Sequence, residues 1–163
     1  MLLVFNTETK AQKHSYEAET ATIIGNAAKV NDSKASGGFL VSLSRQGDGI
    51  QFFNLPSANK LAIRYASLAV GTLSIKINNQ SLQKVNIHSS GELMGSFLYS
   101  VVDISLKNHD SLTVLLDEKD SAVNIDKITV GKGNLGLPPD IWNLPELPIA
   151  TVSYTHLTLP TKA

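Results

Sequence analysis

The sequence contains no cysteine among its 163 residues. This absence excludes a disulfide framework, a thiolate zinc site and a cysteine nucleophile. Lys and Arg number 14, Asp and Glu also number 14, and the chain therefore has no formal net charge. A long-range positive field, which draws proteins to nucleic acid and to anionic membranes, is missing. We expect neither nucleic acid nor a membrane among the partners.

Long apolar runs are missing as well. The longest, Met1 to Phe5, is far shorter than the ~20 residues that a membrane helix needs. This run and the residues after it resemble the end of a secretory signal, and they predict a truncated leader over residues 1–13. The alternative is a frayed first strand. A leader would place the protein outside a bacterial cytoplasm, as a secreted, periplasmic or cell-surface protein.

The end of the chain differs in composition from its middle. Residues 132–151 are rich in proline and include Trp142, which predicts an extended linker or strap that leads to a further domain. The ten residues Val152 to Thr161 resemble a translated transposase sequencing adapter. We therefore expect Val152 to Ala163 to be foreign to the natural protein, and we expect the domain itself to occupy residues 14–131.

The middle of the chain shows a strict two-residue alternation of apolar and polar residues, which is typical of half-buried β-strands. Turn-forming residues such as Asn78-Asn79 separate the alternating runs, and no sustained helical periodicity appears between them. Strands of this kind bury one face each against a second sheet. The predicted fold class is an all-β antiparallel β-sandwich. The predicted inward positions are Leu61, Ile63 and Tyr65; Leu73, Ile75 and Ile77; Val85 and Ile87; Val102, Ile104 and Leu106; Leu112, Val114 and Leu116.

The alternation slips by one residue at Asp126-Lys127, which predicts a β-bulge there. Glu17 and Glu19 are two residues apart, so an early strand would place them on one face, ~6.6 Å apart at ~3.3 Å per residue. If the three carboxylates converge, a cation between them would offset their repulsion, and calcium is the ion that suits oxygen ligands without histidine or cysteine. The alternative is that the glutamates form a solvated face and that Asp126 caps a turn.

Four short motifs follow one another in order: Tyr16-Glu17-Ala18-Glu19, Ser36-Gly37-Gly38-Phe39, Ile63-Arg64-Tyr65-Ala66 and Asn124-Ile125-Asp126-Lys127-Ile128. Together they resemble carbohydrate-binding modules of families six and thirty-five. The resemblance runs from Tyr16 to Val130, and it implies a galactose-binding-like β-jelly roll. It also implies that Glu17, Glu19 and Asp126 are side-chain ligands of a structural calcium, with a main-chain carbonyl near Ser36 completing the set.

The same resemblance implies a sugar site. Asn124 stands where these modules have an asparagine that binds the ligand, whereas their usual tryptophan is absent and Phe97 and Tyr99 lie in that region. A sugar needs a flat aromatic ring for its C–H face and polar groups for its hydroxyls. The candidates are Tyr99, then Phe97, then Phe39 as the aromatic platform, with Arg45 as a further polar contact.

Enzyme classes are disfavoured by their missing signatures. A retaining glycosidase needs two carboxylates that face each other across a sugar, and a serine hydrolase of the α/β type needs a G-x-S-x-G elbow, which this sequence lacks. His14, His88 and His109 show no metal-site spacing, and we expect them at the surface or in turns. The predicted function is a non-catalytic module that tethers a covalently linked glycoside hydrolase to glycan; the Trp-Asn-Leu-Pro segment at Trp142 resembles the lead-in to some fucosidase-type hydrolases. The alternative is a structural or interaction β-sandwich without sugar binding.

Overall fold

The computed structural model describes residues 12–137, and this part of the chain forms β-strands joined by short turns. A single 3-10 turn, Ala18–Thr20, follows the first strand. The strands are β1 (Lys13–Glu17), β2 (Thr22–Ile24), β3 (Ala28–Asn31), β4 (Phe39–Leu43), β5 (Gly49–Leu55), β6 (Ala58–Ala66), β7 (Gly71–Ile77), β8 (Gln83–Ile87), β9 (Leu98–Leu106), β10 (Asp110–Leu115) and β11 (Val123–Gly131).

The strands form two antiparallel sheets. The first sheet has the order β3-β4-β11-β6-β9, with β1 also paired to β11, and the second has the order β2-β5-β10-β7-β8. Apolar side chains from both sheets form one core between them. The predicted all-β sandwich is therefore confirmed.

The alternation read from the sequence matches the observed core. Every predicted inward residue in β6, β7, β8, β9 and β10 is buried, as is Leu116 just after β10. Tyr65 is fully buried, and its hydroxyl oxygen accepts a 2.7 Å hydrogen bond from the backbone N–H of His88. A buried tyrosine requires a partner of this kind for its polar end.

The predicted hairpin turn at Asn78 joins β7 to β8. Asn78 has φ = 49°, a left-handed conformation that asparagine tolerates better than most residues. Its side chain is fixed from two sides: its amide nitrogen donates to Asp110 at 2.9 Å, and its amide oxygen accepts from the Ser111 N–H at 2.9 Å. The turn is thus tied to the start of β10.

The predicted β-bulge is present in β11. The register between β11 and β6 shifts between Ile125 and Lys127, which leaves Asp126 as the extra residue. The same edge of β11 has two partners in succession: β4 pairs with Val123 to Ile125, and β1 pairs with Lys127 to Gly131. Asp126 lies where one partner strand gives way to the other.

The described segment extends slightly beyond the predicted domain at both ends. Lys13, assigned above to the leader, begins β1, and its ammonium group donates a 3.0 Å hydrogen bond to the carbonyl of Leu135. Leu135, assigned to the linker, is 4% exposed. The other predictions for the leader, for the strap with Trp142 and for the adapter-derived tail fall outside residues 12–137. Within that range no helix is long and apolar enough to cross a membrane.

Candidate functional site

Glu17 and Glu19 do not share a strand face as predicted. Strand β1 ends at Glu17, and the chain then enters the 3-10 turn that contains Glu19. The hydroxyl of Thr20 donates to the carbonyl of Glu17 at 2.7 Å, and the fully buried Ala18 accepts the closing bond from the Ala21 N–H. A tight turn anchored by a core alanine, and not strand periodicity, therefore positions Glu19.

The turn nevertheless brings both glutamates to Ser36 and Gly37. The Ser36 hydroxyl donates to Glu17 Oε1 at 2.8 Å. A Cβ atom added to Gly37 would lie 2.0 Å from Glu19 Oε1 and 3.5 Å from the carboxyl carbon of Glu17. Both carboxylates thus lie against the same side of Gly37, which must lack a side chain for Glu19 to remain there.

One oxygen of each glutamate has no hydrogen-bond partner. Glu17 Oε2 and Glu19 Oε2 are buried and unsatisfied. An unpaired buried carboxylate oxygen is costly, and native structures contain few such atoms. Two such atoms, on carboxylates that both lie against Gly37, need a cation or further donors, and a hard cation such as calcium suits a donor set made only of oxygens.

Asp126 is fully buried at the bulge, and protein groups occupy both of its oxygens. Oδ1 accepts a 2.8 Å hydrogen bond from the Ser36 N–H, and Oδ2 forms an ion pair with Arg64 Nη1. Among residues 12–137, no three Asp, Glu, His or Cys side chains form a group that could hold a metal ion. The expected convergence of three carboxylates is therefore replaced by a pair of glutamates, which Ser36 links to Asp126.

Sequence analysis did not identify Arg64 as part of this site. Arg64 is paired in register with Lys127, directly after the bulge, so its guanidinium supplies the positive charge that Asp126 requires. The signal available in the sequence was its position in a predicted strand, between the inward residues Ile63 and Tyr65. In the structure the Arg64 side chain is only 22% exposed. A charged residue that is largely covered needs a partner.

Two of the predicted aromatic residues lie beside Arg64. The guanidinium carbon is 4.1 Å from the centre of the Phe97 ring, which is a cation–π contact. Tyr99 on β9 is directly opposite Arg64 in the register between β6 and β9. Phe97 and Tyr99 are both half-buried, so each keeps part of its surface accessible on the outer side of the first sheet.

Asn124 lies near this group but is 93% covered. Its amide nitrogen donates a 2.7 Å hydrogen bond to the carbonyl of Leu93, in the segment that joins β8 to β9. That segment is held a second time, because the Gly95 N–H donates to Asp32 Oδ2 at 2.6 Å. Asn124 therefore anchors a loop, and its amide nitrogen is engaged by the protein itself.

Phe39 and Arg45 do not join the other predicted residues. Phe39 is the first residue of β4, and Arg45 follows the far end of that strand, which is about 13 Å away at ~3.3 Å per residue. The Arg45 N–H donates to Asp48 Oδ2 in a polar turn. Hydrogen bonds from the backbone N–H groups of Ser44, Asn26 and Arg45 outweigh burial and lower the pKa of Asp48. One small sugar could not contact both Phe39 and Arg45.

This architecture defines an antiparallel β-sandwich module with an acidic pair at one sheet edge and aromatic residues on the adjoining face. The family model described as delta endotoxin, Endotoxin_C, matches residues 15–130. The chain belongs to this family. No curated protein matches it.

Solved structures share the fold at low sequence identity. A family 35 carbohydrate-binding module from Clostridium thermocellum is 22% identical with a TM-score of 0.63, and the match covers 72% of this chain and 98% of that one. An exo-β-1,3-galactanase from Phanerochaete chrysosporium, solved with galactose, is 21% identical with a TM-score of 0.67, over 75% of this chain and 30% of the galactanase. The catalytic domain of a GH87 α-1,3-glucanase in complex with nigerose is 18% identical with a TM-score of 0.65, over 78% of this chain and 29% of the glucanase. The chain therefore spans less than a third of these two hydrolases.

Proposed function

We propose that the chain is a non-catalytic carbohydrate-binding module. The likeness to the family 35 carbohydrate-binding module supports this function, because the match covers 98% of that module. The family description, delta endotoxin, names no ligand. The proposal therefore depends on the chemistry of the site.

The observation that carries the proposal is the placement of Phe97 and Tyr99 beside Arg64, with Phe97 in contact with its guanidinium and Tyr99 opposite it in the register of β6 and β9. An aromatic ring provides the flat apolar surface that the C–H face of a sugar stacks on, and polar groups beside it bind hydroxyls. Arg64 is fixed by Asp126 and by the Phe97 ring, so it loses little freedom when a ligand binds. The proposed site is formed by Tyr99 and Phe97, with Asn124 holding the adjacent loop.

We also propose a structural calcium ion, held by Glu17 and Glu19. Their buried, unpartnered Oε2 atoms fit a hard cation, and the main-chain oxygens of the turn at Ser36 are the available additional ligands. Asp126 contributes indirectly, by holding the Ser36 N–H. Calcium at this point would neutralise the two carboxylates and join the end of β1 to the turn before β4.

In the whole protein, the module would serve a covalently linked glycoside hydrolase in an extracytoplasmic compartment. A binding module raises the effective concentration of an attached enzyme near its polymer without taking part in the reaction. Tethering requires only that the glycan site remains accessible when the second domain is attached.

Calorimetric titration tests the sugar site directly. The wild-type protein, with calcium present, is titrated with galactose, β-1,3-galactotriose and nigerose, the sugars bound in the related hydrolase structures. We expect binding of at least one of them, and we expect Tyr99→Ala to lose the part of that binding that occurs at this site. Phe53→Ala is the matched control, because Phe53 is an aromatic residue of the second sheet that is 60% exposed. If the wild type binds no glycan, the interaction-module alternative is favoured.

A further inference from the structure

A cavity of about 390 Å³ lies at the end of the sandwich away from Asn124. Its polar lining comes from β1, from the end of β5 and from the turn before β10. His14 of this lining pairs with Val130, which is about 20 Å along β11 from Asn124 at ~3.3 Å per residue. The cavity is therefore separate from the site proposed above. Its lining includes His14, Tyr16, Asn54, Pro56, Asn108 and His109.

Two residues of the lining have left-handed backbones although neither is glycine. Asn54 has φ = 57° and His109 has φ = 71°, and the His109 N–H donates to the carbonyl of Leu55 at 2.8 Å. Asparagine and histidine adopt this conformation more readily than most residues, and it is common in tight turns. The two turns place His109 Nδ1 within hydrogen-bond distance of Asn54 Oδ1.

This contact determines what the two side chains offer to a ligand. The amide oxygen of Asn54 can only accept, so this contact requires the His109 tautomer that has its proton on Nδ1, and that tautomer offers Nε2 as an acceptor. The amide nitrogen of Asn54 remains a donor. The Asn108 carbonyl oxygen accepts the Ser57 N–H at 2.9 Å, so the amide nitrogen of Asn108 also remains a donor.

Tyr16 adds an aromatic surface held in a fixed orientation. Its ring contacts Phe52, with centroids 6.2 Å apart and planes tilted by 60°. The described lining contains no Asp, Glu, Lys or Arg side chain. Donors and an acceptor of neutral character beside an aromatic ring match the hydroxyls and the C–H face of an uncharged sugar.

We propose that this cavity is a second saccharide site, which binds a neutral mono- or disaccharide independently of the Tyr99 site. Asn54, Asn108 and His109 bind its hydroxyls, and Tyr16 contacts its apolar face. A module with sites at separate positions can hold one glycan chain at two points, and it then binds a polymer far more tightly than a single sugar.

Two-dimensional amide NMR tests the proposal with the full chain, titrated with galactose and with nigerose at millimolar concentration. We expect at least one of them to shift the backbone amides of Tyr16, Asn54, Asn108 and His109 in a saturable way. Glycine adopts a left-handed φ without strain, so Asn54→Gly and His109→Gly should fold normally and lose at least tenfold in affinity. Lys29→Ala, an exposed position on β3, is the control and should leave the shifts unchanged.

Each remaining outcome overturns the second site. Shifts near Tyr99 alone would show that the module has one sugar site, and Asn54→Gly binding as tightly as the wild type would show that the lining is not used. If zinc chloride shifts the His109 resonances and neither sugar does, the cavity is a metal site. Tyr99→Ala separates the two proposals: it should abolish sugar-induced shifts near position 99 and leave the shifts of the Tyr16, Asn54, Asn108 and His109 amides unchanged.

Discussion

Asp126 Oδ1 accepts a 2.8 Å hydrogen bond from the Ser36 N–H, which joins the bulge of β11 to the turn before β4 across 90 residues of sequence. The second carboxylate oxygen is paired with Arg64. A fully buried carboxylate is stable only when its oxygens are satisfied in this way. The bulge therefore provides an internal anchor that does not depend on a ligand.

Removing this anchor should destabilise the domain. Asp126→Ala leaves the guanidinium of Arg64, which is 22% exposed, and the Ser36 N–H without their partner, so we expect the free energy of unfolding to fall by about 3 kcal/mol. Urea denaturation measures the change. Asp103→Ala is the control, because Asp103 is 80% exposed in its pair with Lys60 and should cost less than about 1 kcal/mol. Similar losses in the two variants would contradict the anchor.

Calcium should stabilise protein that has been stripped with a chelator. An ion that binds only the folded state adds about 4 kcal/mol at a thousandfold excess over its Kd. Glu17→Gln and Glu19→Gln should remove most of this gain, while Glu118→Gln, an exposed control, should keep it. Calorimetric melting with and without calcium gives the comparison. A wild-type melting temperature that calcium leaves unchanged would refute the metal site.

The requirement for glycine at position 37 should depend on Glu19. Gly37→Ala places a methyl group where Glu19 Oε1 lies, so the variant should lose stability and respond less to calcium. In a Glu19→Ala background the methyl group meets no carboxylate, and the substitution should be nearly neutral. A double-mutant cycle measures this coupling. Equal effects in the two backgrounds would show that the backbone itself, and not Glu19, requires glycine.

Stability should decrease in acid because of Asp48. Hydrogen bonds from the backbone N–H groups of Ser44, Asn26 and Arg45 lower its pKa in the folded protein. A lowered folded-state pKa gives stability that is complete above the unfolded pKa of about 3.9 and is lost as the pH falls through the folded pKa. Urea denaturation from neutral pH down to acid should show a weaker pH dependence in Asp48→Asn than in the wild type. Asp103→Asn, at an exposed position, should behave like the wild type.

Most of the fold could be predicted from the sequence because its information is local. A two-residue alternation determines which side chains face the core, and the slip at Asp126 identified the bulge without any knowledge of the partner strands. The left-handed turn at Asn78 could also be predicted, because asparagine tolerates that conformation.

The geometry of the site was less predictable because it depends on partners that are distant in sequence. The partner of Arg64 lies 62 residues away, and nothing near Arg64 in sequence identifies it. The period of two continues through Glu19 and predicts a strand there, whereas the chain turns at Ala18–Thr20, where the Thr20 hydroxyl donates to the Glu17 carbonyl. Phe39 and Arg45 have the right chemistry for a sugar, but their positions at opposite ends of β4 become evident only when the strand is defined.

The two successive partners of β11 have a consequence for proteolysis. A chain cut between Glu17 and β2 that lost β1 would expose the edge of β11 from Lys127 to Gly131, while β4 would still cover the residues before the bulge. Unpaired N–H and C=O groups at a sheet edge readily accept a strand from another chain. Trimmed molecules would therefore exchange or recruit strands at this half-edge, which intact β1 keeps covered.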